Sequence, residues 1–196
     1  NNDADTDAGD SLQNSVDVTY THGETGAMVT LTETTALQTV VEPSLGFAKS
    51  VSNITAPRTP QAGDILRYTL TFTAAGGAPG DNFSDAFDLR IDDTLSLGLI
   101  YNGNPTVNGA DNTIAAPVLS GDGVTTHQTL RWSLEDANAD IGITEGTVVT
   151  ITYDVLVDNS VLIGQSLTNS VTAQWTSLDG PSVYERNGTG APWNEP

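Results

Sequence analysis

Lys49 is the only lysine in a 196-residue chain that carries 25 acidic residues. It lies in the alternating run Leu45–Val51 (LGFAKSV), where Phe47, Lys49 and Val51 share one face of a strand. If Phe47 packs inward, Lys49 does too. A lysine in that position is costly unless it is paired, held neutral or chemically consumed. Asn169 alternates with Leu167 and Val171 in LTNSVTAQW and is likewise expected to face inward. Two inward-facing polar residues near opposite ends of the chain call for an explanation.

Other residues capable of chemistry are more scattered. Asp3, Asp5, Asp7 and Asp10 in DADTDAGD supply the closely spaced oxygens that a calcium loop needs, without the glycine and distal glutamate of an EF-hand. Asp81, Asp85 and Asp88 in PGDNFSDAFD are a second calcium candidate. A solvated acidic segment is the more common origin of either group. His22 and His127 are far apart and lack the partners of a zinc site or a catalytic triad. There is no G-x-S-x-G elbow and no phosphate-binding glycine loop. No catalytic constellation is found, and no cofactor is expected beyond calcium. Asn53, Asn82 and Asn187 head N-x-S/T triplets in expected loops, where a glycan would be tolerated. Trp132 and Trp175 fall in strand-like runs and read as packing residues; Trp193 is expected to be exposed or docked on a neighbour.

The elements that must position these groups are strands. The chain holds 28 threonines, and alternation of apolar and polar residues marks 28–35, 45–51, 65–73, 127–134, 148–157 and 166–176. Glycine- and asparagine-rich turns separate them, as at Gly76–Asp81, Asn102–Pro105 and Gly121–Gly123. Many short strands with such turns predict an all-β, immunoglobulin-like β-sandwich, preceded by an extended N-terminal strand segment. A net charge of −19 leaves no basic surface for nucleic acid and disfavours an anionic membrane. With no cysteine there is no disulfide scaffold, and the apolar runs are too short to span a bilayer. Asn1 opens directly into polar sequence, so any signal peptide is expected to be absent from this sequence.

The chain also repeats itself. Asp3–Tyr20 (DADTDAGDSLQNSVDVTY) aligns without gaps on Asp158–Trp175 (DNSVLIGQSLTNSVTAQW), with seven of 18 positions identical. Residues 1–42 therefore resemble the last strands of a preceding repeat, or a strand donated to a neighbouring subunit, with residues 43–196 as the immunoglobulin-like domain. Chance similarity of two edge strands is the remaining reading. Leu12, Asn14, Val16, Val18 and Tyr20 are the expected donor residues.

Four segments carry a family resemblance. Leu45–Val51 (LGFAKSV), Ala62–Thr73 (AGDILRYTLTFT), Leu89–Leu99 (LRIDDTLSLGL) and Leu167–Ala173 (LTNSVTA) resemble, in order and spacing, the isopeptide-forming fimbrial and conserved-repeat domains of prokaryotic surface proteins. The resemblance covers about residues 43–176. It implies an intramolecular amide between Lys49, as amine donor, and Asn169, as acceptor. It also implies that Asp93, aligned with the acid of a T-D-T-L segment, is the catalytic carboxylic acid. The sequence reads Asp92-Asp93 at that point, so Asp92 is the second choice. Alternation allows only one of the two inward, and an inward Ile91 selects Asp93. An ion pair hydrogen-bonded to Asn169, without a covalent bond, is the alternative.

The function implied is that of a structural module or subunit of an extracellular, cell-surface fibre, stalk or adhesin. Its partners are copies of itself or adjacent repeats, joined through the N-terminal strand. Any chemistry is a single self-modification rather than enzyme turnover. The rival expectation is an adhesive module that binds carbohydrate or another cell through loops 76–88 and 102–126.

Overall fold

A computed structural model describes residues 9–78, 83–109, 116–132 and 142–180. Among these residues the chain is all β, with no helix. The N-terminal strands are β1 (Ser11–Leu12), β2 (Ser15–Thr21), β3 (Met28–Thr34) and β4 (Gln38–Thr39). The following strands are β5 (Leu45–Asn53), β6 (Ile65–Ala74), β7 (Phe87–Leu95), β8 (Leu99–Tyr101) and β9 (Thr106–Asn108). The last are β10 (Val118–Ser120), β11 (Gln128–Trp132), β12 (Val148–Val157) and β13 (Asn169–Thr176).

Two antiparallel sheets make the sandwich. One runs β5-β6-β12-β8, with β9 also paired to β12; the other runs β10-β11-β7-β13. Each alternating segment puts its apolar residues into the gap between the sheets. Leu66, Tyr68, Leu70 and Phe72 come from β6, and Val149, Ile151, Tyr153 and Val155 from β12. They meet Leu89, Ile91 and Leu95 of β7 and Leu130 and Trp132 of β11. Burial of these side chains, each contributing roughly 1.5–3 kcal/mol, is the main force holding the sheets together. The bend into β8 requires Gly98: its φ is +90°, and a Cβ there would lie 2.4 Å from Val161 Cγ2.

Two buried carboxylates brace the β5–β6–β12 sheet, Asp154 on its outer face and Asp64 at the connection between β5 and β6. Asp154 of β12 accepts from Arg67 Nε at 2.8 Å and from Asn104 Nδ2 at 2.8 Å. Asn104 has φ +54°, in the left-handed region asparagine tolerates, and this lets the 102–105 loop lie against β12. Asp64 accepts from both Arg58 terminal nitrogens, at 2.6 and 2.8 Å, and from Asn53 Nδ2 at 2.9 Å. This cluster closes the connection from β5 to β6.

The N-terminal strands form one long hairpin, apart from either sheet. β2 pairs with β3, and β1 with β4; the register is broken between them near residues 13–14, where Asn14 N donates to Thr35 Oγ1 at 3.1 Å. Leu12, Val16, Val18 and Tyr20 are all exposed.

The pH dependence of the Arg67–Asp154 brace is a direct check on this architecture. The Arg67 guanidinium holds the Asp154 carboxyl below its usual value of 3.8, so the folded state binds this proton less tightly than the unfolded chain. Its stabilisation is complete above the unfolded value and is lost as pH falls through the lower folded one. Asp154→Asn is expected to lower the urea midpoint at pH 7, with the gap to the parent narrowing as the pH drops below about 4.

Candidate functional site

Lys49, Asp93, Tyr153 and Asn169 meet in the gap between the sheets. Lys49 projects from β5, an edge strand, at the level of Leu70 on β6. Tyr153 comes from β12 of the same sheet, opposite Tyr68. Asp93 comes from β7 of the other sheet, opposite Val171, and Asn169 opens the neighbouring edge strand opposite Leu95. The cluster thus joins both sheets, and it joins the first strand of the sandwich to the last.

Asp93 is its centre. The carboxyl is fully buried, on the same face of β7 as Ile91 and Leu95. Lys49 Nζ donates to Oδ1 at 2.6 Å and to Oδ2 at 2.7 Å, with the lysine side chain only 14% exposed. Tyr153 Oη donates to Asp93 Oδ2 at 2.5 Å and accepts from Asn169 Nδ2 at 2.9 Å. Asn169 Oδ1 is buried without a hydrogen-bond partner. Aromatic rings keep the site dry: Tyr153 stacks on Tyr68 at 5.5 Å and meets Trp132 at 5.4 Å. The Lys49 ammonium lies 5.2 Å from the Tyr68 ring centre.

This environment shifts both ionisable groups toward neutrality. Burial pushes the Lys49 amine below its ordinary value, against the pull of the Asp93 carboxylate. Burial pushes the Asp93 carboxyl up, against the hydrogen bonds from Lys49, Tyr153 and Asn169. Tyr153 is pushed up strongly by burial and by Asp93, and it keeps its proton. Both shifts favour the neutral pair, a nucleophilic amine beside a proton donor. That donor neighbours an amide whose carbonyl oxygen has no partner.

No family model and no curated protein matches the chain. Among solved structures it is similar to the pilus backbone (RrgB) of Streptococcus pneumoniae, with a TM-score of 0.43 and 21% identity. The match covers 68% of this chain and 53% of that one, so the chain spans about half of the neighbour's length.

The remaining expected sites fare differently. Asp92 points to the outer face of β7, where Arg131 Nε donates to it at 2.6 Å and Arg90 Nε at 3.1 Å; alternation therefore leaves Asp93 as the inward acid. Phe47 and Val51 do not share the burial of Lys49. They are 44% and 54% exposed, because β5 is an edge strand and its inner face overhangs the core. Phe47 still covers Phe72, with ring centres 5.0 Å apart.

Asn53 is not in a loop. It ends β5, and its Nδ2, the atom a glycan would occupy, donates to buried Asp64. Asn82 and Asn187 lie outside the described residues, as do Asp3, Asp5, Asp7, Asp81 and Trp193. Asp10 is exposed. Asp85 accepts from the Glu145 backbone N–H at 2.8 Å, and Asp88 from Thr176 Oγ1 at 2.8 Å. Among the described residues no cluster of three or more metal-binding side chains occurs. His127 Nδ1 lies 3.0 Å from the Leu95 carbonyl oxygen, and Trp132 is fully buried while Trp175 packs at the core margin.

Sequence reasoning missed Tyr153. In VVTITYDVLV its spacing from Ile151 and Val155 gives only an inward aromatic. The available signal was its hydroxyl, because a buried phenol needs a polar partner. Tyr153→Phe removes the bridge between Asp93 and Asn169 while keeping the ring. It is expected to lower unfolding free energy by about 1–3 kcal/mol, measured by chemical denaturation, whereas exposed Leu119→Ala is expected to change it by no more than about 0.5 kcal/mol.

Proposed function

We propose that this chain is a load-bearing module of an extracellular, cell-surface fibre or stalk, and that Lys49 and Asn169 join through an amide bond. The reading rests on one observation. A single buried cluster brings together an amine, a carboxylic acid and a side-chain amide, from the first and last strands of the sandwich and from both sheets.

The chemistry follows from the neighbours. With its proton passed to Asp93, the Lys49 amine holds a free electron pair at enforced proximity to the Asn169 side chain. Its nitrogen attacks Asn169 Cγ, while the protonated acid stabilises the charge developing on Oδ1. The Cγ–Nδ2 bond then breaks. Nζ gives up a proton and Nδ2 gains one, so one ammonia leaves and one secondary amide remains. Tyr153, bonded to both Asp93 and Nδ2, holds the leaving nitrogen in place and offers the acid's proton a path to it. The reaction happens once per chain, so the protein is its own product and not an enzyme with turnover.

The mechanical consequence concerns where tension flows. A pull on the ends of a sandwich first strips its edge strands, here β5 and β13. A covalent tie between them carries the load from strand to strand and leaves the hydrogen-bonded ladders unstressed. Joining to neighbours falls to the N-terminal strands.

Intact mass tests the bond directly. The native protein is expected to weigh one ammonia less than its sequence. Lys49→Ala and Asp93→Asn are each expected to abolish the deficit and lower the melting temperature, whereas Tyr153→Phe is expected to slow its appearance. A native mass equal to that of the sequence would rule out the amide.

A further inference from the structure

The β2–β3 hairpin has two unlike faces. Cross-strand pairing puts Val18 opposite Leu31 and Tyr20 opposite Val29, with Val16 opposite Glu33 at the end of this largely apolar face. The other face is Ser15, Asp17, Thr19 and Thr21 against Thr34, Thr32, Thr30 and Met28, polar except for Met28. A lone two-stranded hairpin is marginal in water, and this one leaves its apolar face exposed. We propose that it is the closing strand pair of a second module of this same build, standing ahead of this one in the polypeptide. We further propose that Asn14 is the acceptor side chain that meets that module's first-strand amine. The role of Asn14 rests on the Lys49–Asn169 reading; the fit of the strand does not.

Three observations converge on that occupant. The first is the repeat, which superposes Ser15–Tyr20 on Ser170–Trp175. The second is facial phase. In β13 the half-buried, inward residues are Asn169, Val171, Ala173 and Trp175, while Ser170, Thr172 and Gln174 are exposed. The repeat sets Asn14, Val16, Val18 and Tyr20 on those inward positions, and these residues share the apolar face of the hairpin.

The third is hydrogen-bonding side, which the repeat alone does not require. In the hairpin, Asn14 O accepts from Thr35 N and His22 N donates to Ala27 O, both at 2.8 Å. The even-numbered residues of β2 therefore bond to β3, and Ser15, Asp17 and Thr19 turn their peptide groups to the open edge. In β13, Thr168 O accepts from Ser96 N at 3.1 Å. Thr168, Ser170 and Thr172 therefore bond to β7, and Asn169, Val171 and Ala173 turn theirs to the outer edge. The two strands use opposite sides. Overlaid by the repeat, β2 has its free groups where β13 binds β7, and its partner β3 falls on the side that β13 leaves open among the described residues. A strand's inward face and its bonding side are coupled by chain handedness, so a one-residue slip would break the match. In this chain's own domain β13 already fills the slot, paired to β7 over seven register positions. A second copy would have to displace it, which favours an upstream module whose slot the hairpin fills.

A chimera of the full chain, with residues 158–176 exchanged for residues 3–21, tests the fit. One cooperative unfolding transition is expected, with a midpoint within about 10 °C of the parent. The chimera should also show the parent's loss of one ammonia, abolished by Asn14→Ala in the transplanted segment. Exchange for residues 4–22 instead turns the apolar face outward and is expected to prevent folding. An in-phase chimera no more stable than the slipped one overturns the proposal. So do multimers of the intact chain that vanish on removing residues 1–22, because they would seat the hairpin in a second copy. A folded chimera without the ammonia loss, beside a parent that shows it, overturns the role of Asn14. A parent of full mass instead sinks the crosslink, and Asn14's covalent role with it, while the unfolding midpoint still judges the fit of the strand.

Discussion

The buried carboxyl of Asp93 is the constraint around which the sandwich is organised. A fully buried acid on an otherwise apolar strand face must be satisfied, and its partners come from three other strands. Lys49 supplies two short hydrogen bonds from β5, Tyr153 one from β12, and Asn169 extends the network from β13. Shifting any of these strands by one residue would turn its partner outward and cost the acid part of its hydrogen bonding. The polar cluster therefore reinforces the register that the alternating apolar residues set.

That specificity is costly while the cluster stays ionic. Desolvating both charges offsets much of their attraction, and buried ion pairs are often no more stabilising than apolar replacements. The same desolvation that weakens the pair as a brace favours the neutral amine and neutral acid needed for amide formation. In the proposed reaction the charges disappear: the amine becomes an uncharged amide nitrogen, and Asp93 keeps Tyr153 as its partner. The proposed covalent product would relieve the electrostatic penalty that primes the reaction. This gives a physical reason for a lone lysine to sit on a core-facing strand in a chain so rich in carboxylates.

Much of this was legible in the sequence because alternation has a strict period of two. Lys49, given an inward Phe47, and Asn169 could be assigned to an inward face from their neighbours, as could the strands that carry them, whereas Asp93 and its strand came from the family resemblance together with an inward Ile91. Phe47 and Val51 show the limit of the same rule. Alternation predicts which way a side chain points, but not whether anything lies opposite, and an edge strand overhangs its core. Asn53 escaped for a related reason: its triplet reads as a loop, yet the pairing of β5 extends to it because buried Asp64 takes its amide hydrogen. Tyr153 was hidden because an inward aromatic needs no explanation until its hydroxyl is located. Short strands such as β8, β9 and β10 depend on pairing partners far along the chain and have little local signal.

The edges of the two β assemblies lead to the same architecture from another direction. Exposed sheet edges invite uncontrolled pairing, and proteins normally cover or blunt them. Here β13 leaves one edge open among the described residues, and β2 leaves one edge and an apolar face open. Each would be a liability in an isolated domain. Overlaid by the repeat, their inward faces match and their bonding sides are opposite, so β2 has free groups where β13 binds β7. In the proposed arrangement the hairpin would close the module before it, covering its own open edge and apolar face and placing the joint on the strand where that module's amide would form. Load entering through β2 would then pass to the upstream module's first strand across a covalent bond, and the proposed Lys49–Asn169 amide would carry it between β5 and β13 of this module.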